Sequence, residues 1–194
     1  VHDIEPFFRW IDDYNAARDE RSPFYGNTYS EFYYGNKIYN YLIHPQWEDI
    51  GSETLYLKVL WVDYQARFAI IELLGEWNDC VEDDCQTLKR NLIDKMVDQG
   101  IVHYLLIGEN ILTFHSGEDD YYREWLEDIT DEAGWVVLIN LRDHVIQDFR
   151  EAGIHQLFFI GKDYNTLNWR LYRPADLFQM LDERIRGTLK ALPA

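Results

Sequence analysis

The runs TLYLKVLWV (residues 54–62) and RFAIIELLG (67–75) decide the fold. Both are rich in β-branched and aromatic residues, and Asp63, Tyr64, Gln65 and Ala66 between them supply a turn. Together they predict a β-hairpin near the centre of a sheet. Because apolar residues occupy both faces of the runs, the sheet should be covered on both sides.

Downstream, Asn78 or Asp79 is placed to cap a helix whose apolar stripe is Val81, Cys85, Leu88, Leu92 and Met96. Glu82, Asp83 and Asp84 at its start, Lys89, Arg90 and Lys95 further on, and Gly100 at its stop match the helix dipole and a left-handed C-terminal residue. IVHYLLIG (101–108) reads as a buried strand, after which Ser116 and Asp119 form a capping box for a helix through Tyr122, Trp125, Leu126 and Ile129, closed by Gly134. WVVLIN (135–140), RDHVIQDFREA (142–152) and HQLFFIG (155–161) continue as strand, helix and strand, with Gly153 stopping the helix. Pro174 opens a final helix carrying Phe178, Leu181, Ile185 and Leu189. Such alternation is the signature of parallel βαβ units.

Upstream, Ile4, Phe7, Phe8, Ile11 and Tyr14 recur at helical spacing, predicting an amphipathic helix from Asp3, its N-cap, to about Glu20. The Tyr-rich stretch that follows suggests a short hairpin turning at Gly35-Asn36. The expectation is an α/β fold in a single domain over residues 1–194. Its mixed β-sheet combines an antiparallel hairpin with parallel βα units and is flanked by helices. Residues 1–50, an N-terminal helix and Tyr-rich extension, pack on the 51–194 core.

Composition narrows the function. The chain has 194 residues, 47% of them hydrophobic, which suffices for a core. Lys and Arg number 18 against 35 Asp and Glu, a net charge of −17, which disfavours nucleic-acid backbones and anionic membrane surfaces. No apolar run is long enough to span a bilayer, and VHDIEPFFRW has no secretory pattern. Two cysteines, Cys80 and Cys85, match neither a CxxC pair nor a zinc half-site, so a reduced, cytoplasmic protein is expected. An acidic mimic of nucleic acid would need charges at phosphate-like spacing, which net charge alone does not supply.

In open α/β sheets, ligands gather beyond the carboxyl ends of the parallel strands. Here those ends supply Glu76, Asn78, Glu109, Asn140 and Lys162 as candidate catalytic residues, although polar strand-end loops are also ordinary turn chemistry. Glu72 shares a strand face with Phe68, Ile70 and Leu74, so its carboxylate points at an apolar layer and needs a partner. A three-residue loop at 64–66 sets Lys58 opposite it, as an ion pair or, functionally, as part of an acid/base or metal carboxylate site.

Glu109, His115, Glu118 and Asp119 have metal-ligating chemistry, but their spacing through a loop sets no geometry, and no metal is expected. Cys85 falls on an apolar stripe, and Cys80 sits among carboxylates that oppose a thiolate. No phosphate loop, dinucleotide fingerprint or GxSxG elbow is present, and no cofactor is expected.

The acidic hairpin, helix and strand from Leu55 to Gly108 resemble the core order of the PD-(D/E)xK nucleases. That family needs an acidic residue, a spacer and a lysine on the second strand, where this chain has Glu72-Leu73-Leu74. With the lysine absent and the chain acidic, nuclease activity is rejected. Strand and helix alternation after a hairpin also resembles the STAS architecture, and this topological resemblance, without a diagnostic motif, implies a partner-binding role.

The chain holds 14 Tyr and 7 Trp. Tyr25, Tyr29, Tyr33, Tyr39 and Tyr41 fall in one segment and are the candidate interaction surface, unless they lie half-buried over the sheet. The leading expectation is a non-catalytic domain that binds a protein partner or self-associates as a homo-oligomer. The alternative is a small enzyme with a polar site at the strand ends.

Overall fold

The structure, a computed structural model, describes residues 4–30, 32–161 and 163–191. In chain order, β1 (Lys37–Ile38) and β2 (Tyr41–Leu42) make a small ribbon. β3 (Glu48–Asp49), β4 (Leu55–Asp63), β5 (Phe68–Asn78), β6 (His103–His115) and β7 (Trp135–Ile139) form one sheet in that spatial order. β3, β4 and β5 pair antiparallel, whereas β5, β6 and β7 pair parallel. This is the α/β mixed sheet expected from the hairpin and the alternation after it.

Strand alternation divides the core. Ala69, Ile71 and Leu73 of β5, with Tyr104 and Leu106 of β6, face a layer holding α1 (Asp84–Leu88), α2 (Asp94–Asp98), α3 (Asp120–Thr130) and α4 (Asp143–Glu151). Phe68 and Ile70, with Leu105 and Ile107, face α5 (Pro174–Ala191) through Leu177, Leu181 and Ile185. Both faces are therefore covered, which explains why the central strands read as unbroken apolar runs. A smaller cluster of Ile38, Ile43, Trp47, Tyr56 and Leu74 seats the Tyr-rich segment against the end of the hairpin.

The hairpin register is reached by two compensating steps. Asp63 pairs with Phe68, so the loop has four residues rather than three, held by the Asp63 carboxylate accepting from the Gln65 and Ala66 amides. A bulge between Val59 and Trp61 then restores the pairing of Lys58 with Glu72. At the far end, Gly75 has φ +119°, and a Cβ there would sit 2.0 Å from the Thr54 carbonyl oxygen, so only glycine fits.

Several expected elements differ. Residues 4–20 form turns, not a helix: Trp10 O accepts from Asp13 N and Tyr14 N, while Phe8 and Ile11 remain exposed. The apolar spacing is shared between two sides of the fold, with Trp10 in the α5 layer and Tyr14 against the other. The expected N-cap Asp3 lies outside the described residues. The ribbon turns at Tyr39-Asn40, not Gly35-Asn36, and Tyr39 takes φ 51°. The first core helix begins at Asp84, leaving Val81 exposed, and its middle is a π turn over Lys89–Ile93 joining α1 to α2. Ser116 is not a cap, since α3 starts at Asp120 after Asp119. HQLFFIG forms no strand: Ile154 and Phe158 bury in the core, leaving one bridge from Phe159 to Val137. On α5, Leu189 is exposed rather than packed. Among the described residues, no helix is long and apolar enough to cross a membrane.

Candidate functional site

Glu109 was expected in a loop after a strand ending at Gly108, but β6 runs through it to His115. Between Ile107, which pairs with Glu72, and Asn110, which pairs with Leu74, β6 has two residues against one on β5. Glu109 keeps to the face of Leu105 and Ile107, the side of Trp169, and the bulge returns Ile111 to the opposite layer. Gly108 permits it, since a Cβ there would sit 2.3 Å from Leu141 Cδ2.

A two-carboxylate centre forms on β5 and β6 where β7 ends. Glu109 Oε1 accepts from Asn140 Nδ2 and Trp169 Nε1, each at 2.8 Å, and Oε2 pairs with Arg170 Nη1 at 2.7 Å. Asn140, at φ 56°, also donates to Leu167 O at 2.8 Å and accepts from Leu167 N at 3.1 Å, so it fastens the 167–170 loop to the end of β7. Glu72 is 1% exposed. Its Oε2 accepts from Phe7 N at 2.8 Å, and its Oε1 accepts from Asn110 Nδ2 at 3.4 Å and lies 3.9 Å from Arg170 Nη2. Phe7, Trp10 and Trp169 close over this side with ring centroids 4.8–5.8 Å apart.

The two carboxyls have different electrostatic fates. Burial pushes Glu72 up to about 7 against the Phe7 amide and Arg170, with Glu109 adding to the rise. Burial also pushes Glu109 up, but Asn140, Trp169 and Arg170 outweigh it and hold that carboxyl below its usual range. The arrangement can hold a proton on Glu72 near neutrality beside an ionised Glu109, with Arg170 bridging them.

A raised value means that the folded chain binds the Glu72 proton more tightly than the unfolded chain does. The resulting cost is absent below the ordinary carboxyl range, grows as pH rises toward 7, and is complete above it. Glu72→Gln should therefore stabilise the fold at pH 8 by up to roughly 3 kcal/mol, at about 1.4 kcal/mol per pH unit of displacement. The gain should vanish below about pH 4. Denaturant midpoints for both chains across that range check this, and a pH-independent difference would exclude burial of the charge as its cause.

Of the residues named from sequence, the structure joins Glu72, Glu109 and Asn140. It does not join Glu76 or Asn78 to them: Glu76 Oε2 accepts from Tyr39 Oη at 2.6 Å, and Asn78 Oδ1 accepts from Cys80 N and Val81 N. Lys162 lies outside the described residues. The expected Lys58–Glu72 ion pair is absent despite the shared register. Lys58 Nζ instead meets Glu48 Oε1 at 3.0 Å, over the Tyr29 ring, because β3 brings a nearer carboxylate while Glu72 turns to Phe7.

Asn110 follows Glu109 at the strand end read from the sequence, whereas the parts played by Trp169, Arg170 and the Phe7 amide were not foreseen, since they depend on contacts distant in sequence. Among the described residues, the carboxylates close enough together to hold a metal are Asp94, Glu124 and Asp128, a group without Glu109, His115, Glu118 or Asp119, and Lys89 Nζ contacts all three.

The five named tyrosines separate. Tyr25, Tyr33, Tyr39 and Tyr41 are 54%, 76%, 62% and 61% exposed, whereas Tyr29 is half-buried with its hydroxyl on Glu48. Gly35, beside the Tyr33 ring, and Tyr39 border a cleft of about 740 Å³ lined also by Thr54, Tyr56 and Asn78.

No family model and no curated protein matches the chain. Among solved structures it is similar to a Thermotoga maritima protein proposed to be an anti-sigma factor antagonist. The match has 14% identity and a TM-score of 0.39, covering 53% of this chain and 80% of that one.

Proposed function

We propose that the chain is a non-catalytic protein-interaction module whose contact surface is the Tyr-rich segment. The observation that carries this reading is the exposure of Tyr25, Phe32, Tyr33, Tyr39 and Tyr41 within one segment. Large aromatic side chains lose little entropy on contact and dominate the buried centres of interfaces. Isolated exposed apolar residues need no explanation, but a concentration of them does. The two free thiols, Cys80 exposed and Cys85 buried, suit a reducing cytoplasmic setting.

The enzyme alternative draws its support from the displaced carboxyl values of Glu72 and Glu109. Against it, each of their four carboxylate oxygens already meets a donor from the chain. In this reading the centre is a latch joining the N-terminal segment, the sheet and the 167–170 loop.

Tyr33→Ala/Tyr39→Ala should abolish retention of a partner that wild type and a Phe8→Ala control both retain, with unfolding midpoints unchanged. Phe8 is comparably exposed, at 63%, but outside the segment. Light scattering on the isolated chain separates self-association from a different partner. Equal retention by all three chains, with no change in mass, would overturn the assignment of this surface.

A further inference from the structure

Resting on that reading, we propose that the cleft beside Tyr39 receives an extended, lysine- or arginine-bearing segment of a partner protein. Asp49, Glu53 and Glu82 line this cleft, and Glu76 stands at its edge through the Tyr39 hydroxyl. None of these four carboxylates forms an ion pair with a described lysine or arginine. Elsewhere several acidic groups meet cations within the chain: Asp94, Glu124 and Asp128 share Lys89 and Arg90, Glu132 pairs with Arg67, and Asp182 with Arg186. Other acidic groups of the chain also lack an ion pair, but these four share one concave surface, where Lys37 is the one lysine or arginine of the lining among the described residues.

Apolar surface accompanies the charge. Val81 is 74% exposed on the cleft wall, and the Tyr39 ring stands at its rim. The Tyr39 hydroxyl donates to Glu76, which fixes the ring and places a carboxylate beside it. A cationic head can meet the carboxylates and the ring face, while its methylene stem covers Val81. The cleft volume of about 740 Å³ accommodates a few side chains, not a folded domain. An anionic or purely apolar segment would leave the carboxylates desolvated without partners.

The test uses the full chain and a labelled nonapeptide of alternating lysine and glycine, with fluorescence anisotropy near physiological salt. Wild type should bind it and ignore the glutamate–glycine counterpart. Glu53→Gln/Glu82→Gln should weaken binding roughly tenfold, whereas Glu127→Gln/Glu183→Gln, removing the same charge from α3 and α5, should change it less than about twofold. Equal losses in both pairs would assign the binding to net charge alone and overturn the proposal, as would no binding by wild type. If the lysine peptide fails but Tyr33→Ala/Tyr39→Ala still abolishes partner retention, the partner's basic character is overturned and the interaction surface stands. If the peptide binds as expected while retention ignores both tyrosines, the cleft stands and the tyrosine surface falls.

Discussion

Asp79→Ala is expected to destabilise the fold by roughly 4 kcal/mol, because one carboxylate satisfies three buried donors and each orphaned donor costs about 1–3 kcal/mol before relaxation. Its Oδ1 accepts from Cys85 N at 2.8 Å and Trp77 Nε1 at 3.1 Å, and its Oδ2 accepts from the Tyr122 hydroxyl. Trp77 and Tyr122 are 0% and 1% exposed, and their rings stack 6.1 Å apart, so alanine would leave a polar void where β5 meets α1 and α3. Against a total stability of about 5–15 kcal/mol this is a large fraction, and the melting temperature should fall on the order of 10 °C.

Asp79→Asn separates the donors from the charge. Its oxygen can keep Cys85 N and Trp77 Nε1, and its amide can donate to Tyr122 Oη. Burial pushes Asp79 up to about 6, against the hydrogen bonds from Tyr122, Cys85 and Trp77. The folded chain thus holds this proton more tightly than the unfolded chain. The associated cost is absent at low pH, grows up to about pH 6, and is constant above it. Asn, which carries no such cost, should be at least as stable as wild type at pH 8, and calorimetry of the three chains decides. Equal losses in Ala and Asn would mean that the negative charge, and not the acceptor geometry, holds this corner.

Asp79 also shows what the sequence discloses and what it hides. Its place before an apolar stripe marked it as a helix cap; the N-cap is Asp83, and Asp79, five residues upstream of the Asp84 start, instead accepts from Cys85 N in the first turn. Local patterns of this kind were legible: both hairpin runs, α4, and Pro174 at the start of α5 follow from periodicity and turn chemistry within a few residues. Features that depend on distant partners were not. The spacing of Phe7 and Trp10 fits a helix until Glu72, 65 residues from Phe7, takes the Phe7 amide. IVHYLLIG stops at Gly108 until β5 offers enough edge for β6 to continue past a bulge. Glu109 and Asn140 were identifiable as strand-end polar residues. Their convergence depends on the 167–170 loop, and the exclusion of Glu76 and Asn78 on Tyr39 and on the Cys80 and Val81 amides.

Lys89→Met should cost about 2–3 kcal/mol at neutral pH, and millimolar calcium should restore part of the loss. Lys89 lies on the same helical face as Cys85, Leu92 and Met96, so a charge on an apolar stripe was the available clue. Its side chain is fully buried at the start of the π turn, where Nζ meets Asp94, Glu124 at 3.4 Å and Asp128 at 2.6 Å. Burial works against its charge, but Asp128 and Asp94 outweigh it and raise the amine above its usual value. Methionine keeps much of the stem volume and removes the charge. Arg90 still holds Asp94 and Glu124, while Asp128 loses its cation. Breaking a buried pair costs about 3–5 kcal/mol, and these carboxylates, about a third exposed, reduce the figure by screening.

Burial pushes Asp94 up, but Lys89 and Arg90 hold it below its usual range, and Arg90 and Lys89 lower Glu124. This stabilisation is present above the unfolded carboxyl values and is lost as pH falls through the lower folded ones, so the Met variant and wild type should begin to approach one another near the usual carboxyl range and converge only below the folded values. The carboxylate oxygens lie within 4.8 Å of one another, close enough to share a divalent cation once the amine is gone. Linkage at ten times the dissociation constant returns about 1.4 kcal/mol to the variant and nothing to wild type, whose lysine occupies the position. Thermal melts with and without calcium measure both terms. An equal calcium shift in the two chains would show that Lys89 does not stand in for a cation.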